Sequence, residues 1–79
     1  MYVYLLRSKS RLGKHYVGLT NDLKKRLREH NAGKSPHTSK WVPWELVVAV
    51  YFADCRKAEA FERYLKHGSG HAFANRHFW

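Results

Sequence analysis

Residues 1–8, "MYVYLLRS", alternate so that Tyr2, Tyr4 and Leu6 fall on one face of an extended chain and Val3 and Leu5 on the other. The stretch "HYVGL", residues 15–19, returns in the same manner after the basic connection "KSRLGK". Two strands joined by so short a link are antiparallel neighbours, because a parallel pair needs a crossover of about a dozen residues or more. Tyr4 and Tyr16 are then expected near each other on one side of the sheet. Gly18, on the same face as Tyr16, is expected to leave space for a backbone or a phosphate.

Thr20 or Asn21 is placed to cap a helix running to about Asn31, with Gly33 suited to its C′ position. "GKSPHTSKWVPW" reads as a basic loop containing Trp41 and Trp44. "ELVVAVYF" is a β-branched run with the composition of a central strand. Asp54 caps a second helix expected to end at His67, with Gly68 as its stop, and Ser69 caps a short final helix ending in Phe78 and Trp79. The order is β-β-α-β-α-α. It predicts one α+β domain over residues 1–79, a small three-stranded, mainly antiparallel sheet flanked by three helices.

So short a chain buries only a thin core, and its 44% hydrophobic and 15% aromatic content argues for a folded domain. Fifteen Lys and Arg against six Asp and Glu give a net charge of +9. That balance favours a polyanion, most simply nucleic acid, DNA or RNA, with an anionic membrane surface as the competing reading. Met1 leads straight into the strand pattern, so no signal peptide is expected, and no apolar run approaches the roughly 18 residues of a membrane span. One cysteine, Cys55, fits a reducing, cytoplasmic setting and a monomer; on the apolar side of its helix it reads as a small core residue.

Both longer helices turn polar groups toward their apolar faces. On the first, Arg26 and His30 share the stripe of Leu23 and Leu27; on the second, Glu62 sits beside Cys55, Ala58, Phe61 and Leu65. A buried unpaired charge is costly, so these groups need partners or a wet cleft. Arg26 could bridge to Glu62, His30 is favourable near a helix C-terminus, and Glu62 and Lys66 form an ordinary i,i+4 pair. Three polar groups directed at one sheet face would instead make a site.

At these residues the chain resembles the GIY-YIG endonuclease superfamily, in particular small single-domain proteins similar to the nuclease half of the bacterial excinuclease. The first motif stands as Tyr2-Val3-Tyr4 and the second as Tyr16-Val17-Gly18, followed in order by Thr20, Arg26, His30, Asn31, Gly33 and Glu62. Tyr2 replaces the usual first glycine, and Asn75 is the only late asparagine. The resemblance implies metal-dependent phosphodiester hydrolysis, structure-selective and linked to DNA repair or recombination. In it Glu62 holds one Mg²⁺ or Mn²⁺ ion and Arg26 stabilises the phosphate in the transition state. Tyr16 activates the water, with Tyr4 as neighbour or alternative base, and His30 bonds a tyrosine or the phosphate. No separate DNA-recognition segment is evident, so a repair protein could be a partner.

Lys9, Arg11 and Lys14 at the hairpin turn, Lys34 and Lys40 flanking the loop, and Lys66 are the candidate nucleic-acid contacts. Trp41 and Trp44 either stack on unpaired bases or pack inside, and Phe78 and Trp79 either fold back onto the core or present a partner surface. His67 and His71 have the spacing of a metal pair, but Gly68 and Gly70 interrupt it. A non-catalytic nucleic-acid-binding module and an accessory protein that keeps the nuclease fold are the alternative readings.

Overall fold

In the computed structural model, which describes residues 1–79 throughout, the hairpin forms as its alternation requires. β1 (Tyr2–Ser8) and β2 (His15–Thr20) pair antiparallel, with Tyr4 opposite Gly18 and Leu6 opposite Tyr16. β3 (Trp44–Tyr51) pairs antiparallel with the other edge of β1, giving the sheet order β2-β1-β3. The β-branched run is therefore an edge strand, not the central one. Leu46 and Tyr51 are exposed, whereas Val3, Leu5 and Leu6 of β1 are fully buried. Centrality comes from having a paired neighbour on both sides, which only β1 has. The register slips between Leu5, opposite Val48, and Leu6, opposite Leu46, so Val47 bulges out of the ladder.

α1 (Leu23–Asn31) is capped by Asp22, whose carboxylate accepts from the Lys25 N–H at 3.1 Å. Neither Thr20 nor Asn21 is the cap. The Thr20 hydroxyl brackets the Asp22 backbone, accepting from its N–H at 3.1 Å and donating to its carbonyl at 3.2 Å. Gly33, at φ +77°, closes the helix as expected. A single 3₁₀ turn, Ser39–Trp41, leads into β3. α2 (Cys55–Lys66) is capped by Asp54 as the sequence requires, but it ends one residue early. Gly68 does not terminate the helical region. At φ +53° it turns the chain into α3 (Gly68–His77), and His67, not Ser69, occupies the cap position.

The sheet separates two apolar clusters. On one face Val3 and Leu5 pack with Ala58 and Leu65 of α2 and Ala74 of α3; on the other, Tyr4, Leu6 and Trp44 pack with Leu23 and Leu27 of α1 and with Trp41. Each such large apolar side chain contributes about 1.5–3 kcal/mol when fully buried. Cys55 lies outside this core, exposed in the first turn of α2. Phe78 and Trp79 fold back onto the first cluster, and the Trp79 indole stacks on the His15 ring at 3.8 Å between centroids. No helix is long and apolar enough to cross a membrane.

Candidate active site

The site grows from the alternation of β1 and the stripe of α1. Tyr4 points to the α1 face and is 2% exposed; His30, one turn beyond Arg26, is fully buried beneath it. Gly18 stands opposite Tyr4, and the space it leaves is taken by tyrosine. A Cβ at position 18 would lie 2.5 Å from Tyr4 Oη and 2.8 Å from a ring carbon of Tyr16. No room for a phosphate remains there, contrary to the sequence expectation. The two tyrosine rings sit 6.1 Å apart, with the His30 ring 4.9 Å from that of Tyr16.

A chain of hydrogen bonds runs through this cluster. Arg26 Nε donates to Tyr4 Oη at 3.3 Å, Tyr4 Oη lies 2.8 Å from His30 Nε2, and His30 Nδ1 lies 2.8 Å from Thr38 Oγ1. Arg26 Nη1 donates to Glu29 at 3.1 Å, one turn along its own helix. Glu29, not Glu62, is thus the carboxylate partner of Arg26. Asn31 fastens the end of α1 to the start of β3, donating to the Trp44 carbonyl at 3.1 Å and accepting from its N–H at 2.5 Å. Thr38 and Glu29 are the members that sequence reading missed. Thr38 lies in a loop with no periodicity to mark it, and Glu29 reads as one more charge on a basic helix.

Burial pushes the Tyr4 phenol up to about 12, against the opposing pull of its hydrogen bond with Arg26. The same bond, aided by Glu29, holds the Arg26 guanidinium charged. Burial, and next the Arg26 charge, push His30 below the usual histidine range, so its ring is neutral at pH 7. The interior therefore holds a neutral imidazole and a neutral phenol beside one persistent cation.

Glu62 approaches from elsewhere. Its helix covers the Val3/Leu5 face, opposite the one that receives Arg26 and His30, so the three polar groups do not converge on a single sheet face. Phe61 packs toward Phe52 beyond the end of β3, at 5.4 Å between rings. Glu62, largely buried, pairs with Lys66, and Lys66 lines a cleft of about 310 Å³ together with Tyr16, His15, His71 and Trp79. Tyr16 on the edge strand thus belongs both to the Tyr4–His30 cluster and to the cleft that Lys66 enters. Burial, then the charges of Arg7 and His71, lower the His15 imidazole in that cleft. Asn75 is exposed on α3, one helical turn after His71. No three ligating side chains gather anywhere as a metal cluster.

Of the basic residues, the turn and the loop meet at one end of the sheet. Ser8 Oγ donates to the Trp41 carbonyl at 2.7 Å, Lys9 N–H to the Pro43 carbonyl at 2.8 Å, and Lys14 Nζ stands 4.6 Å over the Trp41 ring. Lys9, Arg11 and Lys40 are exposed around this junction, Lys34 is exposed just past α1, and Lys66 stands apart at the Tyr16 cleft. Trp44 is buried, its indole N–H donating to the Thr38 carbonyl at 2.9 Å, so it is a core residue and not a stacking surface.

Residues 1–75 match the GIY-YIG catalytic domain. The chain belongs to the GIY-YIG family. Within the family it is 38% identical over 66 residues to the UPF0213 protein CPE1444 of Clostridium perfringens, a match covering 82% of this chain and 69% of that protein. It is 36% identical over 66 residues to a UPF0213 protein of Streptococcus pneumoniae, covering 82% of this chain and 65% of the relative. Similarity extends to a structure-specific endonuclease subunit SLX1 homolog of Drosophila mojavensis, 46% identical over 57 residues, covering 62% of this chain and 19% of that protein. This GIY-YIG chain thus spans about two thirds of the length of the UPF0213 proteins and a fifth of the SLX1 homolog. No solved structure matches it at comparable stringency.

Proposed function

We propose that this chain is a divalent-metal-dependent endonuclease that hydrolyses phosphodiester bonds in DNA, selects its substrate by structure and serves repair or recombination. The observation that carries this reading is the Arg26–Tyr4–His30 chain: a guanidinium fixed by two hydrogen bonds beside a tyrosine pair in a strongly basic domain. Membership of the GIY-YIG family and likeness to an SLX1 endonuclease subunit support it.

Arg26 keeps donors beyond those bonded to Tyr4 and Glu29. A guanidinium has five N–H groups, and its charge suits the extra negative charge of a pentacovalent phosphate. Tyr16, open to the cleft, orients the attacking water and, in its phenolate form, accepts the water's proton. Tyr4, with its proton held up to about pH 12, positions Arg26 and His30 and is a poor base. Glu62 offers one carboxylate, paired with the Lys66 that lines the cleft, a donor set that fits a hard cation whose other ligands are water and phosphate oxygens. Such an ion, Mg²⁺ or Mn²⁺, would neutralise phosphate charge when bound. Lys66 pairs with that carboxylate and would compete with such an ion for it. Lys9, Arg11, Lys14, Lys34 and Lys40 contact the DNA backbone away from the cleavage point.

The test is incubation with labelled duplex, single-stranded, flap and junction DNA in EDTA, Mg²⁺ or Mn²⁺, beside Arg26→Ala and Glu62→Ala. Metal-dependent nicking by the wild type, lost in both variants, is the expected result. The Glu62–Lys66 pair favours one second reading, a nucleic-acid-binding module whose carboxylate is structural. Salt-sensitive binding with no nicking on any substrate would establish that instead.

A further inference from the structure

The hydrogen bonds of the buried cluster have a direction, fixed at one end by a donor, Arg26 Nε, and at the other by an acceptor, the Ser35 carbonyl. Arg26 Nε can only donate, so Tyr4 Oη accepts there. The phenol's own hydrogen then needs an acceptor, and the hydroxyl's other hydrogen-bond partner is His30 Nε2 at 2.8 Å; giving the hydrogen to that nitrogen leaves Nε2 bare. A neutral imidazole with a bare Nε2 carries its hydrogen on Nδ1, and Nδ1 faces Thr38 Oγ1 at 2.8 Å. The Thr38 hydroxyl passes its own hydrogen to the Ser35 carbonyl at 3.5 Å. Every polar hydrogen in the chain then has an acceptor. His30 and Thr38 are 0% and 1% exposed, so water cannot substitute for a missing partner.

We propose that Thr38 is a positioning residue of the active site: its hydroxyl fixes the Nδ1–H tautomer of His30, which commits the Tyr4 hydroxyl to His30 and so aims the Arg26 guanidinium. Thr38 is itself clamped by its backbone. Its N–H donates to the Ser35 carbonyl at 3.2 Å, and its carbonyl accepts from the Trp44 indole at 2.9 Å. Those two bonds belong to the main chain, so replacing the side chain leaves the loop tied. Tyr4, already donating to His30, is set apart from Tyr16 by hydrogen-bond polarity. Two tyrosines on one face thereby take different tasks. The tautomer assignment stands without the nuclease reading; only its kinetic consequence rests on that reading.

Nitrogen-15 NMR of histidine-labelled, metal-free protein without DNA tests the proposal. Wild-type His30 is expected to be protonated at Nδ1 and bare at Nε2. Thr38→Val removes the hydroxyl at nearly constant shape and is expected to move the hydrogen to Nε2. Thr38→Ser is expected to keep the wild-type tautomer. The Trp44 indole N–H resonance, bonded to the Thr38 carbonyl, reports that the loop is intact. In cleavage assays Thr38→Val is expected to lower kcat roughly tenfold, the scale on which outer partners of functional histidines act, with KM for DNA unchanged and Thr38→Ser near wild type. Wild-type His30 protonated at Nε2 overturns the proposal even if Thr38→Val fails to fold, and so does an unchanged tautomer in a folded Thr38→Val. A wild type that shows the expected tautomer but cuts no DNA overturns the nuclease reading alone and leaves the assignment of Thr38 in place.

Discussion

Tyr4 and His30, 26 residues apart in sequence, are joined by a buried 2.8 Å hydrogen bond between a phenol and an imidazole. The bond ties the central strand to α1 and carries Arg26 with it. Its partners are both neutral, which is how a thin core accommodates them beside a permanent cation. Fold stability and the placement of the guanidinium are thus one problem in this protein, and the following outcomes are expected from that.

Tyr4→Phe keeps the ring and deletes the hydroxyl, leaving His30 Nε2 buried without a donor. A loss of about 1–3 kcal/mol in urea unfolding is expected. Cleavage should fall as well, because Arg26 loses one of its two tethers. Full activity in Tyr4→Phe would show that Glu29 alone positions the guanidinium.

Stability should peak between near-neutral and moderately alkaline pH. His30 and His15 have folded pKa values below the unfolded value of about 6.5, so their contribution is complete above that pH and is lost as pH falls below it. Tyr4 is shifted the other way, from 10.0 to about 12, so its contribution is complete below pH 10 and is lost as pH rises toward 12. Urea midpoints should be lower at pH 5 and at pH 11 than at pH 8. In Tyr4→Phe the alkaline decline should shrink.

Gly70 lies where a side chain would run into the Tyr64 carbonyl, at the contact between α2 and α3. Gly70→Ala forces the two helices apart and should destabilise the fold by about 1–3 kcal/mol, read as a drop in melting temperature. Gly13, at φ +86° with open space around it, serves as the contrast. Its alanine variant carries backbone strain but no clash, so it should fall less.

Binding to duplex DNA should weaken steeply with salt, since every phosphate neutralised releases counterions. Replacing Lys9, Arg11 and Lys40 together by Gln should lower the slope of log affinity against log salt by about 3. Melting temperature should be unchanged, because all three side chains are exposed. An unaltered slope would move the DNA interface away from the junction of turn and loop.

The sequence by itself determined the elements and part of the buried Tyr4–Arg26–His30 cluster. Alternation in residues 2–8 and 15–20 dictated a hairpin with Tyr4 and Tyr16 on one face, and the helical stripe of α1 announced Arg26 and His30 as inward-facing. These signals are local: strand and helix periods and cap residues act between near neighbours, and a short chain can be read for them. The tertiary structure alone decided that β1 is central and the valine-rich strand an edge, because strand pairing order is a long-range outcome that the composition of one strand does not record. It alone put Glu62 on the helix across the sheet from Arg26, with the edge strand and the Lys66 cleft between them. It also filled the gap at Gly18 with two phenol rings and brought Thr38, from a loop without period, to the far nitrogen of His30. Such contacts are set by long-range packing in a crowded interior, where each polar group must find a partner, and no residue-to-residue spacing records which partner that is.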